Sequence, residues 1–356
     1  MEKNTFLIKD KIFIRGSRFY YFDYLRIFCS FFVILIHVSA KYKRLEVNSY
    51  KMKIAYYYDG LSRFSVPNFF MISGALFLSK NLSFQIIIEK YIKRIFIHLL
   101  LWSMIYSFTN GNISKLGLKK GIIQIIKGPF HLWYLLAIIG LYIIVPFARE
   151  IIKNKTLLFY LLLFNFIFVF IIPNYLAIIN YYSLDISILS NYLLSALKIN
   201  TLSVNNFYFI FGYYLNTKTI QKKGVIIILY IAGLIGLFFT TIIGHKFSVI
   251  KNERITYFNY KYLNIFFYST SVFIFFKNNF NNFKTNACIQ KLSKFTFGVY
   301  LVHPFIIENI MKKLNVFNIR FNISFLIPII NIIIHLLSMI ICIILNSFPL
   351  VGKYLI

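Results

Sequence analysis

Acidic residues are scarce in this 356-residue chain: Asp and Glu total 10 against 39 Lys and Arg, and charged residues of both signs make up only 14%. A soluble protein of this length needs a charged face on most of its helices, and the long apolar segments here lack one. Cysteine is nearly absent. Cys29, Cys288 and Cys342 stand far apart, which excludes a disulfide framework and cysteine metal-ligand spacing, so they read as small buried hydrophobes. No small-residue cleavage site follows the basic start (Lys3, Lys9, Lys11, Arg15, Arg18), so the first apolar segment is expected to stay as a membrane helix. No stretch between apolar segments is long enough for a separate soluble domain. No basic domain stands apart from them either, which argues against nucleic acid as a partner.

What is present is apolar residue in blocks. Hydrophobic residues reach 59%, against about 45–50% in a soluble domain, and each block is long enough to cross a bilayer core of about 30 Å. The reading is an all-α polytopic integral membrane protein with about ten transmembrane helices. They are expected near 22–40, 61–79, 94–110, 130–148, 156–174, 203–217, 224–244, 260–276, 293–311 and 324–348. Residues 1–21 read as a cytoplasmic basic N-terminus, 22–348 as the membrane domain and 349–356 as a short cytoplasmic tail. The gap at 175–202 is polar-aromatic and suits an interfacial helix. The short loops 149–155 and 218–223 are strongly basic, and with the basic N-terminus they put both chain termini in the cytoplasm. The formal net charge of +29 has two readings. One is an anionic partner, a phosphate-rich co-substrate or acidic lipid. The other is loop lysines serving topology in a chain whose Ile, Lys, Asn, Phe and Tyr content follows AT-rich coding.

Ionisable groups inside membrane segments are expensive and are functional candidates. The first segment reads Phe22-Asp23-Tyr24-Leu25-Arg26 and later His37. Arg26 and His37 are close to three whole turns apart, so they share a face at an axial separation of about 16 Å. Asp23 precedes Arg26 by three residues, close enough to pair with it. With the N-terminus inside, Asp23 and Arg26 lie near the cytoplasmic surface and His37 toward the other. The plainer alternatives are an arginine snorkelling to headgroups and a histidine bonding a neighbouring helix. The second segment carries Ser65, Pro67, Ser73 and Gly74, a pattern of close helix approach or a local backbone break. Lys90, Lys93 and Arg94 open the third segment at the depth of Arg26, either as a topogenic flank or as part of an anion site. The fourth opens His131-Leu132-Trp133-Tyr134, at the level of His37; Trp133 and Tyr134 also suit an interfacial belt. The ninth holds Phe297-Gly298-Val299-Tyr300-Leu301-Val302-His303-Pro304, with His303 mid-segment and Pro304 freeing a backbone carbonyl. His335 is buried without a cue from its neighbours, and His98 and His245 read as structural or loop residues.

These motifs resemble the membrane-bound acyltransferase family three, and within it the surface polysaccharide O-acyltransferase branch. The matching elements are Phe22 to Arg26 with His37, Phe69-Phe70-Met71-Ile72-Ser73-Gly74, His131 to Tyr134 continuing to Pro146, and Phe297 to Pro304, in order along nearly the whole chain. The arginine, ten residues, histidine spacing is the most specific of them. The resemblance implies transfer of an acyl group, usually acetyl from cytoplasmic acetyl-CoA, to a sugar hydroxyl of a polysaccharide or lipid-linked glycan at or beyond the outer face of the bacterial cytoplasmic membrane. It implies His37 as the catalytic residue and Arg26 as a contact to the acyl-CoA. The family's paired basic residues three apart correspond here to Tyr91-Ile92-Lys93-Arg94, where only Arg94 matches and Lys90 or Lys93 substitutes; His98 stands where many relatives have proline.

The side chains suit that chemistry. A basic mouth of Arg26, Lys93 and Arg94, joined by Arg149, binds the CoA phosphates. His37 in neutral form takes the proton of the acceptor hydroxyl as it attacks the thioester. Asp23 fixes Arg26; His131, Ser73, Trp133, Tyr300 and His303 are supporting candidates for holding the acceptor or the oxyanion. A covalent acyl-histidine is the other route. No metal and no permanently bound cofactor is expected, acetyl-CoA being a co-substrate, and membrane lipids surround the chain. The rival functions are a transporter or flippase of a polysaccharide intermediate, a non-catalytic partner of an export complex, and an O-succinyltransferase of the same family.

Overall fold

The computed structural model describes residues 18–42, 49–109, 123, 128–176, 203–220, 222–250, 259–313 and 321–355. The basic start at 1–17 and most of the expected interfacial segment, 177–202, lie outside them. Among the described residues the chain is helical and has no β-strand. In chain order the principal helices are α1 (Tyr21–Tyr42), α2 (Tyr50–Ser62), α3 (Ser65–Leu78), α4 (Lys93–Thr109), α5 (Trp133–Lys153), α6 (Lys155–Asn165), α7 (Val204–Thr217), α8 (Lys223–Phe238), α9 (Leu263–Phe280), α10 (Ala287–Lys313), α11 (Ile323–Ser347) and α12 (Pro349–Leu355).

Helix runs through all ten expected segments, but length and composition support fewer crossings. Six helical stretches are long and apolar enough to span a membrane: Tyr21–Tyr42, Tyr50–Leu78, Phe130–Lys153, Lys155–Leu176, Lys223–Ile250 and Ile323–Ser347. The others are short, as in the 14 residues of α7 and the 17 of α4, or carry more polar side chains, as in α9 and α10. Lipid is nonetheless the solvent of the long stretches. Only 17% of the most apolar window of Lys223–Ile250 is buried, and Ile227, Ile228, Ile231 and Leu234 stand exposed on it. A helix apolar all round and so little covered is stable only against hydrocarbon. The protein is therefore a multi-pass membrane protein.

The chain forms two compact units. The first comprises Met1–Leu25, Gly60–Lys80 and Phe147–Lys284. Its helices cross through glycine. A Cβ on Gly74 of α3 would lie 1.7 Å from the Phe209 carbonyl oxygen, and one on Gly212 of α7 would lie 2.1 Å from that of Met71. The serine, glycine and proline pattern of the second segment thus serves close packing, with small residues letting backbones touch. Gly233 and Gly236 of α8 do the same against Ser271 and Asn264 of α9. Phe166, Phe170, Phe207 and Phe266 pack with ring centroids 4.9 to 6.2 Å apart. Cations finish two helices: Lys277 donates to the carbonyls of Leu215, Asn216 and Lys218 at the end of α7, and Arg149 donates to Phe77 O (3.0 Å) at the end of α3. Both place a cation on carbonyls at the negative end of a helix dipole.

The second unit comprises Arg26–Asp59, Asn81–Pro146 and Thr285–Ile356. Its core gathers Ile34 and Val38 of α1, Leu99 and Trp102 of α4, Val299 and Val302 of α10, and Ile327 and Ile334 of α11. Asn322 caps α11 by accepting from Ser324 N (2.9 Å). Phe348 leaves helical geometry, and Pro349 at the first position of α12, where its missing N–H is harmless, restarts the chain as a helix. The expected short tail is thus a helix packed back against α4. The Trp102 indole N–H donates to Leu355 O (3.1 Å), which satisfies a carbonyl that α12 leaves unpaired at its end.

Candidate functional site

The second unit gathers three histidines from three helical elements. His37 comes from α1, His303 from the middle of α10, and His131 from the 3-10 turn Phe130–Leu132 that leads into α5. The His37 and His303 rings lie 5.0 Å apart between centroids, and His131 lies 6.2 Å from His303. Phe130 covers His37 at 5.6 Å. His131 and His303 are 2% and 0% exposed, whereas His37 is half-buried and so is the accessible member. A turn that only glycine adopts readily brings His131 in. Gly128 has φ +62°, and a Cβ there would also meet Ser103 Oγ at 2.9 Å.

Pro304 shapes the α10 side of this cluster. Its ring displaces the carbonyl of Tyr300 and offers no N–H to it. The Tyr106 hydroxyl of α4 enters at the break. It donates to Leu301 O (2.7 Å) and accepts from Phe305 N (3.2 Å), the two groups that an unbroken helix pairs with each other. The same ring lies edge-on to His131 at 4.7 Å. Tyr300 donates its hydroxyl to the His131 carbonyl, which ties α10 to the turn that carries His131. His303 Nδ1 is 3.0 Å from Val299 O, and since a carbonyl only accepts, Nδ1 carries the hydrogen. Neither ring nitrogen of His131, nor Nε2 of His303, has a hydrogen-bond partner among the described residues. Buried polar atoms are paired as a rule, which makes these three nitrogens candidates for contact with a polar ligand. The described residues include no group of three or more His, Cys, Asp or Glu set to hold a metal ion.

A second feature of the same unit is basic. A cavity of about 720 Å³ is lined by Glu89, Lys90, Lys93, Arg94 and His98 on one side and by Asn346, Gly352 and Tyr354 on the other. A π-helical turn, Ile87–Ile92, precedes α4. Its wider i to i+5 bonding changes the phase at which Lys90 meets Lys93 and Arg94, and all three cations line one cavity. Arg26 does not line this cavity; it lies within electrostatic range of Tyr142, whose ring meets that of Tyr91, in the π-helical turn before α4, at 6.4 Å.

Of the residues singled out in the sequence, His37, His131, His303 and Tyr300 come together, and Lys93 and Arg94 line the cavity. Trp133 is 41% exposed with its ring edge-on to Tyr134 (6.3 Å), as an interfacial aromatic stands. Asp23, Ser73 and Arg149 belong to the other unit. Asp23 accepts from Arg18 (Nη2, 2.7 Å), a partner the reading of Asp23 with Arg26 did not include. Ser73 sits half-buried on α3, next to the glycine that sets the α3–α7 crossing. Tyr106 was not singled out, and His98, read as structural or loop, lines the cavity. The signal for both was present in α4: Arg94, His98, Trp102 and Tyr106 recur every fourth residue and so wind slowly along one side of the helix.

Comparison with known proteins identifies the family. Residues 19–347 match the family described as acyltransferase domain. The chain is 23% identical over 320 residues to proteins of Staphylococcus aureus strains MRSA252 and MSSA476, each named a probable poly-beta-1,6-N-acetyl-D-glucosamine export protein. The match covers 83% of this chain and 84% of each relative. No solved structure matches it. The chain belongs to the membrane-bound acyltransferase family three.

Proposed function

We propose that this protein transfers an acyl group, acetyl in the first instance, from cytoplasmic acyl-CoA to a hydroxyl of a cell-surface polysaccharide or its lipid-linked precursor. The protein would sit in the bacterial cytoplasmic membrane with about ten helices crossing it and both termini inside. The observation that carries the reading is the pairing, within one unit, of a basic cavity and a histidine cluster at opposite ends of the same helices. Arg26 and His37 on α1 are separated by about 16 Å, and Arg94 and Tyr106 on α4 by about 18 Å. An extended thioester arm anchored by its phosphates at Lys90, Lys93, Arg94 and Arg26 has that reach.

The reaction then runs as one displacement. The acceptor hydroxyl gives its proton to neutral His37 while its oxygen attacks the thioester carbonyl. The tetrahedral intermediate expels the CoA thiolate, which takes the proton back from the imidazolium, so an ester and free CoA leave. His131 and His303 bring polar groups to the same place for the acceptor or the oxyanion. The test is transfer from labelled acetyl-CoA by the purified protein in proteoliposomes, with mass spectrometry of surface glycans from a deletion strain to identify the ester. His37→Ala is expected to abolish transfer and Arg26→Ala to raise the acetyl-CoA KM. Unchanged glycan esters in the deletion strain would overturn the proposal.

A second reading is export of a glycan, the activity named for the Staphylococcus relatives. Buried histidines and a proline-broken helix suit proton-coupled transport as well. A carrier of a neutral sugar has no use for a basic cavity, so acetyl-CoA binding by the purified protein separates the two.

A further inference from the structure

His98 is an unabsorbed group in the basic cavity. It lies one turn, about 6 Å, further along α4 than Arg94, on the way to Tyr106. It lines the cavity with Lys93 and Arg94, yet the residue is only 1% exposed. Nδ1 is 2.7 Å from Arg94 O. That carbonyl can only accept, so Nδ1 carries the hydrogen, and in the neutral ring Nε2 holds the lone pair. The Phe297 ring stands edge-on to the imidazole at 5.3 Å and fixes its plane. Nε2 has no partner among the described residues. The ring is thus locked in one tautomer, buried, and left with one acceptor beside a cavity whose other polar residues are Glu89, three cations, Asn346 and Tyr354.

An acceptor in that position does not suit phosphate, which offers only acceptor oxygens to it. It suits a ligand N–H or O–H. Building on the acyl-CoA reading above, we propose that His98 Nε2 accepts a hydrogen bond from an amide N–H or the hydroxyl of the pantetheine arm, one turn beyond the cations that hold the nucleotide phosphates. His98 is then a donor-binding residue that selects the arm, as Lys93 and Arg94 select the charge. The i to i+4 spacing of Arg94 and His98 matches the order of the ligand: charged end first, amide-bearing arm next, thioester last.

The experiment compares two ligands on the full-length protein in detergent by calorimetry: acetyl-CoA, and adenosine 3′,5′-bisphosphate, which has phosphates and no arm. His98→Phe is expected to weaken acetyl-CoA binding by roughly three- to tenfold, the loss of one hydrogen bond, and to leave the bisphosphate unchanged. His98→Gln, which returns an acceptor near the Nε2 position, is expected to recover most of the affinity. Lys93→Ala is expected to weaken both ligands. If His98→Phe does not fold, His98→Asn, polar but too short to reach, carries the same expectation. An unchanged acetyl-CoA affinity, or an equal loss for both ligands, in the His98 variant overturns the proposal while Lys93→Ala still reports on the cavity. If Lys93→Ala leaves both ligands unaffected, the cavity is not the donor site and the acyl-CoA reading of it falls as well.

Discussion

Arg94 and Tyr106 stand on the same helix, with Arg94 lining the basic cavity and Tyr106 edge-on to His131 at 4.7 Å. Their separation of about 18 Å along α4 is close to the 16 Å or so between Arg26 and His37 on α1. Two helices therefore carry the same pairing of a cation at one end and histidine chemistry at the other. Correspondence at both ends is what the proposed extended donor would require.

Tyr106→Phe tests how much of the cluster hangs on that helix. The substitution keeps the ring and removes the hydroxyl that bridges Leu301 O and Phe305 N. Leaving those buried groups without their partner is expected to destabilise the protein by about 1–3 kcal/mol, read as a lower midpoint of thermal unfolding in detergent. Turnover should fall with it while the acetyl-CoA KM stays unchanged, because Tyr106 lies at the histidine end. An unchanged unfolding midpoint would mean that α10 closes its own break at Pro304.

Direct transfer and an acyl-histidine differ in what the protein keeps. With labelled acetyl-CoA and no acceptor, direct transfer predicts no label on the protein after gel filtration. Label that stays on the wild type and is lost in His37→Ala requires the covalent route. For direct transfer His37→Ala is expected to lower turnover by a factor of at least about 100, the usual contribution of a positioned base.

The sequence carried the helices and their costly polar residues because both depend on local pattern. Hydrophobic blocks mark helices whatever they pack against, and the spacing of Arg26 and His37 follows from helix geometry alone. Contacts between distant helices leave no such trace. Tyr106 looks like any aromatic near a segment end until Pro304, nearly 200 positions later, gives its hydroxyl two backbone partners. His98 read as structural because the cavity it lines has Gly352 and Tyr354, about 250 positions later, on its far wall. The last residues read as a tail because a seven-residue helix folded back on α4 has no apolar block of its own. Asp23 was read with Arg26 because they are three apart on one helix; Arg18, in the segment just ahead of that helix, lay outside the pattern.

Salt dependence separates electrostatic holding of the donor from shape. Lys90, Lys93 and Arg94 are partly open to solvent, so their attraction for phosphate is screened as the Debye length falls from about 10 Å at 0.1 M to about 3 Å at 1 M salt. Acetyl-CoA affinity of the wild type should decline steadily across that range. Lys93→Ala should start weaker and decline less, so that the two curves converge at high salt. Parallel curves would show that Lys93 acts through packing of its stem and not through its charge.

Two glycines give opposite outcomes from the same substitution. A Cβ on Gly74 would stand 1.7 Å from a backbone oxygen of Phe209, and backbone in the middle of a helix has nowhere to move. Gly74→Ala is therefore expected to push α3 and α7 apart and to remove most of the folded protein, read as loss of the monodisperse peak in fluorescence-detected size exclusion. Gly140, in the interior of α5, has nothing within 4 Å of its added Cβ. There Ala only restores helix propensity, a gain of about 0.5–1 kcal/mol, so Gly140→Ala should raise the unfolding midpoint slightly. A Gly74→Ala protein as stable as wild type would mean that the α3–α7 crossing is looser than the 2.1 Å between a Cβ built on Gly212 and Met71 O implies.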